Sequence, residues 1–178
     1  MLLMVPQMAM KRILILGCCG SGKTSFARKL HAATQIPLIH LDREYWLPNW
    51  TEPPQEEWNR IVADLVQRKT WIMDGNYSNS IHMRVPRADT IILLDRSTPS
   101  CFLRVCKRVF TNYGKVRPDM SEGCVERFYF GFMHYVLMFN FRNRKKLLHL
   151  IEAQKHEKRT YVFRKEHEIE AFLAGLTG

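Results

Sequence analysis

The sequence has no apolar run long enough to cross a bilayer and no cysteine pair in the C-x-x-C pattern. Its longest apolar stretch, residues 128–141, is interrupted by His134 and Asn140 and falls short of the roughly 20 residues that a spanning helix needs. This stretch instead predicts a buried aromatic helix. The five cysteines are odd in number and lack zinc-ligand spacing, which argues against a disulfide framework and a zinc site. We therefore expect a cytoplasmic protein without a membrane segment.

The first ten residues, MLLMVPQMAM, also lack a basic region and a small-residue cleavage site, so we do not expect a signal peptide. A natural beginning lies at Met10, in MKRILILG, which leaves Met1 and Met10 open as the true start. We expect residues 1–10 to be an N-terminal extension and residues 11–178 to form a single domain. A composition of 46% hydrophobic and 25% charged residues suits one compact domain with a core.

Positive charge is in clear excess, with 27 Lys and Arg against 17 Asp and Glu and a formal net charge of +10. Basic surfaces bind nucleic-acid backbones irrespective of sequence. The same excess also suits an enzyme that surrounds a nucleotide triphosphate with arginines. Composition alone leaves both interpretations open.

Short β-like runs alternate with helical patterns along the chain, which is typical of a parallel sheet covered by helices on both faces. The runs are almost continuously apolar, as strands buried on both sides must be. The sequence thus predicts a three-layer α/β fold with five strands, at residues 12–17, 36–42, 70–75, 90–95 and 160–164.

Helices are expected at residues 25–33, 144–155 and 166–173, and two more follow from apolar residues at helical spacing. One begins after Pro53 or Pro54 and the other after Pro99, which suits a first helical turn. Arg104 and Arg108 lie four apart on a different face of the latter helix. The apolar residues of these two helices are Trp58, Ile61, Val62, Leu65 and Val66, then Phe102, Val105, Cys106, Val109 and Phe110.

The stretch GCCGSGKT matches G-x-x-x-x-G-K-[ST] and lies between a predicted strand and a predicted helix. Glycines let the backbone wrap a phosphate with its N–H groups turned inward, at the positive end of the following helix. We expect ATP as the nucleotide, with Lys23 reaching its β and γ phosphates and Thr24 ligating Mg²⁺. The predicted nucleotide-binding residues of this loop are Gly17, Gly20, Ser21, Gly22, Lys23, Thr24 and Ser25.

A phosphate loop also needs an acidic residue at the end of a neighbouring strand to hold the metal. Asp74 ends WIMD and Asp95 ends IILLD, so both qualify by pattern. We predict Asp74 as the metal residue, which holds if the third strand lies beside the first. Asp95 precedes RSTP and is interpreted as a helix or turn cap.

Several segments together resemble the bacterial family of DNA topology modulation proteins, a branch of the adenylate-kinase-like phosphate-loop kinases. The likeness extends from residue 11 to about residue 173. The phosphate loop is common to many NTPases, whereas the HLD and DGNY segments are more specific. The segments are KRILILGCCGSGKTSFARKL, IHLDREYWLPNW, WIMDGNYS, RADTIILLD and GKVRPDMSEGC.

The resemblance implies strand order 2-3-1-4-5, a nucleotide site, an acceptor site and a mobile lid. The lid falls at residues 111–128, which show no helical or strand period. Asp74-Gly75 resembles the Asp-Gly that organises magnesium in nucleotide kinases, and Arg104 with Arg108 resembles the arginine pair leading into the lid. Asp42 and Arg84 fall where an acceptor would be held.

The chain departs from adenylate kinases where Asn76-Tyr77 replaces the usual Pro-Arg, which speaks against an acceptor of adenylate type. Phosphoryl transfer needs positioning and positive charge over the developing equatorial oxygens. We therefore predict Lys23, Arg108 and Arg117 as catalytic residues. The alternative is a solvated basic face for the arginines. For Asp42, which would bind an acceptor hydroxyl, the alternative is a turn or helix cap.

Two functions remain open after these observations. The first is a small-molecule kinase that uses ATP and Mg²⁺ with an unidentified acceptor, nucleotide-like or nucleoside-like. The second is a DNA-associated ATPase, although the sequence contains no helix-turn-helix, zinc-finger or single-strand stacking pattern. The sequence specifies neither the acceptor nor the oligomeric state.

Overall fold

A computed structural model describes residues 10–177 of the protein. Five parallel strands form one sheet in the order β2-β3-β1-β4-β5. The predicted fold class and strand order are therefore confirmed. The strands are β1 Arg12–Gly17, β2 Leu38–His40, β3 Trp71–Asp74, β4 Thr90–Leu94 and β5 Arg159–Phe163. The expected extension at residues 1–10 lies, except for Met10, outside the described residues.

Eight helices accompany the strands over the described range, and most of them connect one strand to the next. Shorter 3-10 turns lie at 48–50, 78–80 and 85–87, and a π-helical turn joins two helices at 140–144. The helices are α1 Lys23–Thr34, α2 Leu41–Tyr45, α3 Gln55–Gln67, α4 Ile81–Arg84, α5 Thr98–Asn112, α6 Phe130–Phe139, α7 Lys145–Gln154 and α8 Glu166–Thr177. Within residues 10–177, none is long and apolar enough to cross a membrane.

The sheet divides the core into two layers because the side chains of β1 alternate between its faces. Ile13 and Ile15 pack with α1 and α8, and Leu14 and Leu16 pack with α3, α5, α6 and α7. All four of these side chains are fully buried. Helices therefore cover both faces, and the carboxyl ends of all five strands meet at one edge. In open α/β sheets this edge is where ligands bind.

The second strand is shorter than predicted, because α2 begins at Leu41, directly after β2. Asp42, which the sequence placed at a strand end, therefore lies in the first turn of α2. The short helices α2 and α4 were not predicted. Each has at most five residues, which is too few to reveal a helical period.

The prediction of a buried aromatic helix at 128–141 is only half right. The inner face of α6 is buried through Met133, Val136 and Phe139, whereas Phe130 is 77% exposed and Phe141 83% exposed. This helix is apolar all round, so its sequence has no period that distinguishes the inner face from the outer one. In α5, the predicted core residue Phe110 is likewise 87% exposed. The buried residues of this helix include Cys101, which was not predicted to face the core.

Residues 113–129 contain neither a helix nor a strand, apart from one bridge between Val116 and Val125. We call them the 113–129 segment. It rests on residues 43–50: the Trp50 indole donates to the Val125 carbonyl at 2.9 Å, and Ser121 Oγ donates to the Arg43 carbonyl at 2.7 Å. The segment is thus held against the chain that follows β2. Its role as a lid stays a prediction.

Candidate active site

The phosphate loop connects β1 to α1 and depends on three glycines. Gly17, Gly20 and Gly22 have φ values of +146°, +80° and +97°, a region that favours glycine. A Cβ atom on Gly20 would lie 2.3 Å from the carbonyl oxygen of Cys101 in α5. The loop backbone therefore lies directly against the backbone of α5, and side chains are excluded at this contact.

The basic group of the loop lies at the amino end of α1. Lys23 Nζ donates to the Cys18 carbonyl at 3.0 Å, and the Ser21 amide donates to the same carbonyl at 3.0 Å. Ser21 is buried, and its hydroxyl has no hydrogen-bond partner among the described residues. Ser25 is exposed. The loop thus presents backbone amides, one ammonium group and one buried hydroxyl at a helix N-terminus, an arrangement suited to anions.

Asp74 ends β3 beside this loop, as predicted if β3 neighbours β1. Its Oδ2 accepts a hydrogen bond from Thr24 Oγ1 at 2.8 Å and lies 3.3 Å from His40 Nδ1. Its Oδ1 is buried and has no hydrogen-bond partner among residues 10–177. A buried carboxylate oxygen without a partner is costly unless something binds it. Hard oxygen donors in this arrangement fit Mg²⁺, which takes few protein ligands and several waters or phosphate oxygens.

Asp95 does not cap α5, contrary to expectation. Its carboxylate accepts hydrogen bonds from Arg144 Nε and Nη2 at 2.7 and 2.8 Å and from Arg164 Nε at 3.2 Å. Burial alone would raise the pKa of Asp95, but the hydrogen bonds and charges of these two arginines lower it. The N-terminal residue before α5 is Ser97, and its side chain makes no capping hydrogen bond. Asp95 therefore joins the end of β4 to the π-helical turn before α7 and to the residue that follows β5.

The arginines predicted to face phosphate lie on α5 and in the 113–129 segment. Arg104 approaches Gly22 and lines a cavity of about 230 Å³ beside the phosphate loop, together with Lys29 and Glu166. Arg108 lies 3.5 Å from the Glu126 carboxylate and 5.6 Å from the centre of the Phe132 ring.

Arg117 contacts two buried carboxylates of the same segment. Its Nη1 donates to Asp119 at 2.8 Å, and its Nε lies 2.7 Å from Glu126. Burial raises the pKa of Asp42, and the charges of Lys23 and Arg117 act in the opposite direction. Arg117 is thus close enough for its charge to act on Asp42. The catalytic roles of Arg108 and Arg117 stay predictions.

The first predicted acceptor residue is Asp42, whose Oδ1 accepts a hydrogen bond from the Tyr77 hydroxyl at 2.8 Å. Burial raises the pKa of the Asp42 carboxyl, and the nearby Asp74 carboxylate raises it further, which the hydrogen bond from Tyr77 partly offsets. The Tyr77 ring packs 4.6 Å from that of Tyr45 and 5.2 Å from that of Trp58, measured between ring centres. Asp42 is thus a partly buried carboxylate beside an aromatic cluster.

Arg84, the second predicted acceptor residue, is fully buried. Its Nη1 donates to the Gly75 carbonyl at 3.0 Å, and its Nη2 donates to the carbonyls of Asn76 and Tyr77, the latter at 2.8 Å. Burial lowers the pKa of Arg84 to about 10, so the group remains charged at neutral pH. In this conformation Arg84 holds the backbone after β3, and its contact with an acceptor stays a prediction.

Sequence reasoning missed the role of Asn76. Its Oδ1 accepts a hydrogen bond from the Gly17 amide at 3.0 Å, and its Nδ2 donates to the Gly17 carbonyl at 2.7 Å. The side chain therefore joins the end of β3 to the start of the phosphate loop. The available signal was its position two residues after Asp74, where a polar amide replaces the proline of adenylate kinases.

Comparison with known proteins identifies the fold. No protein-family model matches the chain, and no curated protein matches it in sequence. Among solved structures, the shikimate kinase of Bacteroides thetaiotaomicron is similar with a TM-score of 0.51 at 17% identity, covering 94% of this chain and 96% of its own. The deoxyadenosine kinase of M. mycoides is similar with a TM-score of 0.51 at 14% identity, covering 93% and 97%.

At these identities the likeness shows the fold alone, a five-stranded parallel sheet in the order 2-3-1-4-5 with helices, which this chain shares with the two kinase structures. The resemblance to DNA topology modulation proteins is not confirmed by any comparison and stays a prediction.

Proposed function

We propose that the protein is a P-loop phosphotransferase that transfers the γ-phosphoryl group of Mg·ATP to a small-molecule acceptor. One observation carries this proposal. Thr24 Oγ1 lies 2.8 Å from Asp74 Oδ2, beside Lys23 and the glycine loop, and the buried Asp74 Oδ1 has no partner among the described residues. A nucleoside triphosphate with a bound cation requires this combination of ammonium, hydroxyl and carboxylate groups.

Each residue of the loop has a role in this proposal that follows from its position. The loop amides and Lys23 would bind the phosphates, and Thr24 with Asp74 would hold Mg²⁺, directly or through its waters. When bound, the cation would supply positive charge that offsets the negative charge of the phosphates. Through its two hydrogen bonds to Gly17, the Asn76 side chain would hold the phosphate loop in a fixed position relative to Asp74.

The arginines around the loop would serve binding and catalysis in turn. Arg104 adjoins Gly22 and would contact the nucleotide, whereas Arg108 and Arg117 would place positive charge over the transferred group. Both structural neighbours are kinases, which agrees with this class of reaction. Both arginines have carboxylate partners in the 113–129 segment, Glu126 for Arg108 and both Asp119 and Glu126 for Arg117, and these contacts hold them near the loop.

Isothermal calorimetry with Mg·ATP tests the proposal. We expect the native protein to bind Mg·ATP and Lys23→Ala to bind at least tenfold more weakly. Lys69→Ala serves as the matched control, because Lys69 precedes β3 at the opposite edge of the sheet. In Asp74→Asn, the affinity for Mg²⁺ in the presence of ATP should fall by about 10- to 100-fold. Binding that is absent in the folded native protein, or unchanged in Lys23→Ala, would contradict the proposal.

The alternative function, a DNA-associated ATPase, has the positive charge in its favour. The exposed basic side chains Lys107, Arg127, Arg142, Lys145 and Lys146 lie on or next to α5, α6 and α7. If DNA is the partner, ATP hydrolysis should rise with added duplex, and DNA affinity should fall steeply with salt. A kinase with a small acceptor should be indifferent to DNA in the same assay.

A further inference from the structure

The acceptor side of the phosphate loop carries carboxylates and aromatic rings, and its cations already have partners. Asp42 and Asp74 are close enough for the charge of Asp74 to act on Asp42. Tyr77 connects Asp42 to the rings of Tyr45 and Trp58. This is an unusual surface to present to a second phosphate group, because a phosphate monoester carries about −1.5 to −2 charges at neutral pH.

Four of the cations described above could in principle balance such a charge. Arg84 is fully buried and directs its guanidinium to three backbone carbonyls. Arg117 contacts Asp119 and Glu126, Arg108 also contacts Glu126, and both are assigned above to the transferred group; Lys23 belongs to the phosphate loop. None of these four cations would therefore be dedicated to a phosphate group that an acceptor placed against Asp42.

From this arrangement we infer that the acceptor is an uncharged alcohol with an apolar or aromatic ring, and that Asp42 binds its reacting hydroxyl. The inference rests on the proposed function and names its substrate class. Uncharged nucleosides and other ring-bearing alcohols belong to this class, whereas nucleoside monophosphates do not.

The chemistry of the reaction agrees with this assignment. The acceptor oxygen forms a bond to the γ phosphorus while the bond from that phosphorus to the β–γ bridging oxygen breaks, and ADP leaves. The hydroxyl proton passes to the Asp42 carboxylate and then to water. Because a hydroxyl group loses its proton in this reaction, a carboxylate beside it can act as a general base. A phosphate oxygen at neutral pH has little proton to give, so the same carboxylate would only repel it.

The aromatic side chains are positioned to contact the ring of such an alcohol. Tyr77 and Tyr45 are half-buried, and the Trp46 ring lies 5.2 Å from Tyr45 and 5.4 Å from Trp50. Trp50 in turn donates to Val125 of the 113–129 segment. A ring bound beside Tyr77 would thus extend the row of aromatic contacts that leads from the core to this segment.

A panel of paired compounds tests the inference. Each pair is an uncharged alcohol and its monophosphate, taken from nucleosides, aromatic alcohols and sugars, and ADP formation from Mg·ATP is measured. We expect at least one uncharged member to have a kcat/KM at least tenfold above that of its phosphorylated partner. In Asp42→Asn this ratio should fall at least tenfold, because both the base and the repulsion are lost. A merely structural role of Asp42 would lower both rates and leave the ratio unchanged.

Asp64→Asn is the matched control, since it makes the same change on the exposed face of α3 and should keep the ratio of the native protein. Preference for a phosphorylated member would overturn the inference. So would the absence of stimulation by every uncharged member while calorimetry still detects Mg·ATP. If Mg·ATP itself does not bind, the proposed function fails first, and the inference falls with it.

Discussion

Replacing Arg84 by methionine should destabilise the protein strongly, because the guanidinium holds three backbone carbonyls in the interior. Its Nη atoms donate to Gly75, Asn76 and Tyr77, and the side chain has no exposed surface. Hydrogen bonds from a charged donor contribute about 1.5–3 kcal/mol each. Methionine avoids the desolvation of a buried charge, which offsets part of this loss. We expect a net decrease of about 3–5 kcal/mol in the free energy of unfolding.

Urea denaturation at neutral pH measures this change, and the melting temperature should fall by about 10 °C in a domain of this size. Arg87→Met is the control, since Arg87 is exposed and should change stability by less than about 0.5 kcal/mol. If Arg84→Met folds too poorly, Arg84→Lys should show a smaller loss, because one ammonium replaces a planar fork. A variant within about 1 kcal/mol of the native protein that loses only acceptor affinity would refute the reasoning.

Three further predictions concern single contacts. Gly20→Ala places a Cβ 2.3 Å from the Cys101 carbonyl, so by differential scanning calorimetry it should destabilise far more than Gly114→Ala, which has a similar φ and open space. Asp95→Asn should cost about 1–2 kcal/mol at neutral pH in urea titrations, because its arginine partners are partly exposed. Asp42→Asn should raise stability at neutral pH, measured the same way.

The pH dependence of the two aspartate variants should be opposite in sign. The pKa of Asp95 is lowered in the folded state, so its contribution is present above the unfolded pKa and is lost as the pH falls through the folded one. The pKa of Asp42 is raised, so its penalty is present above the folded pKa and disappears below the unfolded one. Equal losses or gains at all pH values would contradict the electrostatic origin of either effect.

Much of the fold was predictable from the sequence because its main elements have strong periods. The strands β1, β3 and β4 are apolar runs buried on both faces, and α3 and α5 carry one apolar stripe each. The phosphate loop followed from glycine, lysine and threonine at fixed spacing. The choice of Asp74 over Asp95 depended on strand order, which periodicity alone does not provide.

Other features depend on tertiary contacts that leave no local pattern. Arg84 is buried and donates hydrogen bonds to backbone carbonyls, and no local sequence pattern around this arginine indicates that. The outer face of α6 is as apolar as its inner one, so Phe130 could not be distinguished from Val136. Asn76 binds Gly17 across 59 positions of the chain, so the position of Asn76 two residues after Asp74 did not by itself reveal its partner.

The contact between Gly20 and Cys101 makes α5 a rigid connection between the phosphate loop and the 113–129 segment. Its 15 residues span about 22 Å at 1.5 Å per residue, with the phosphate loop at one end and the 113–129 segment at the other. A tilt of about 5° at the loop would therefore displace the far end by about 2 Å. Because Trp50 donates a hydrogen bond to Val125 of that segment, such a tilt would also move the contact between the segment and the aromatic residues after β2.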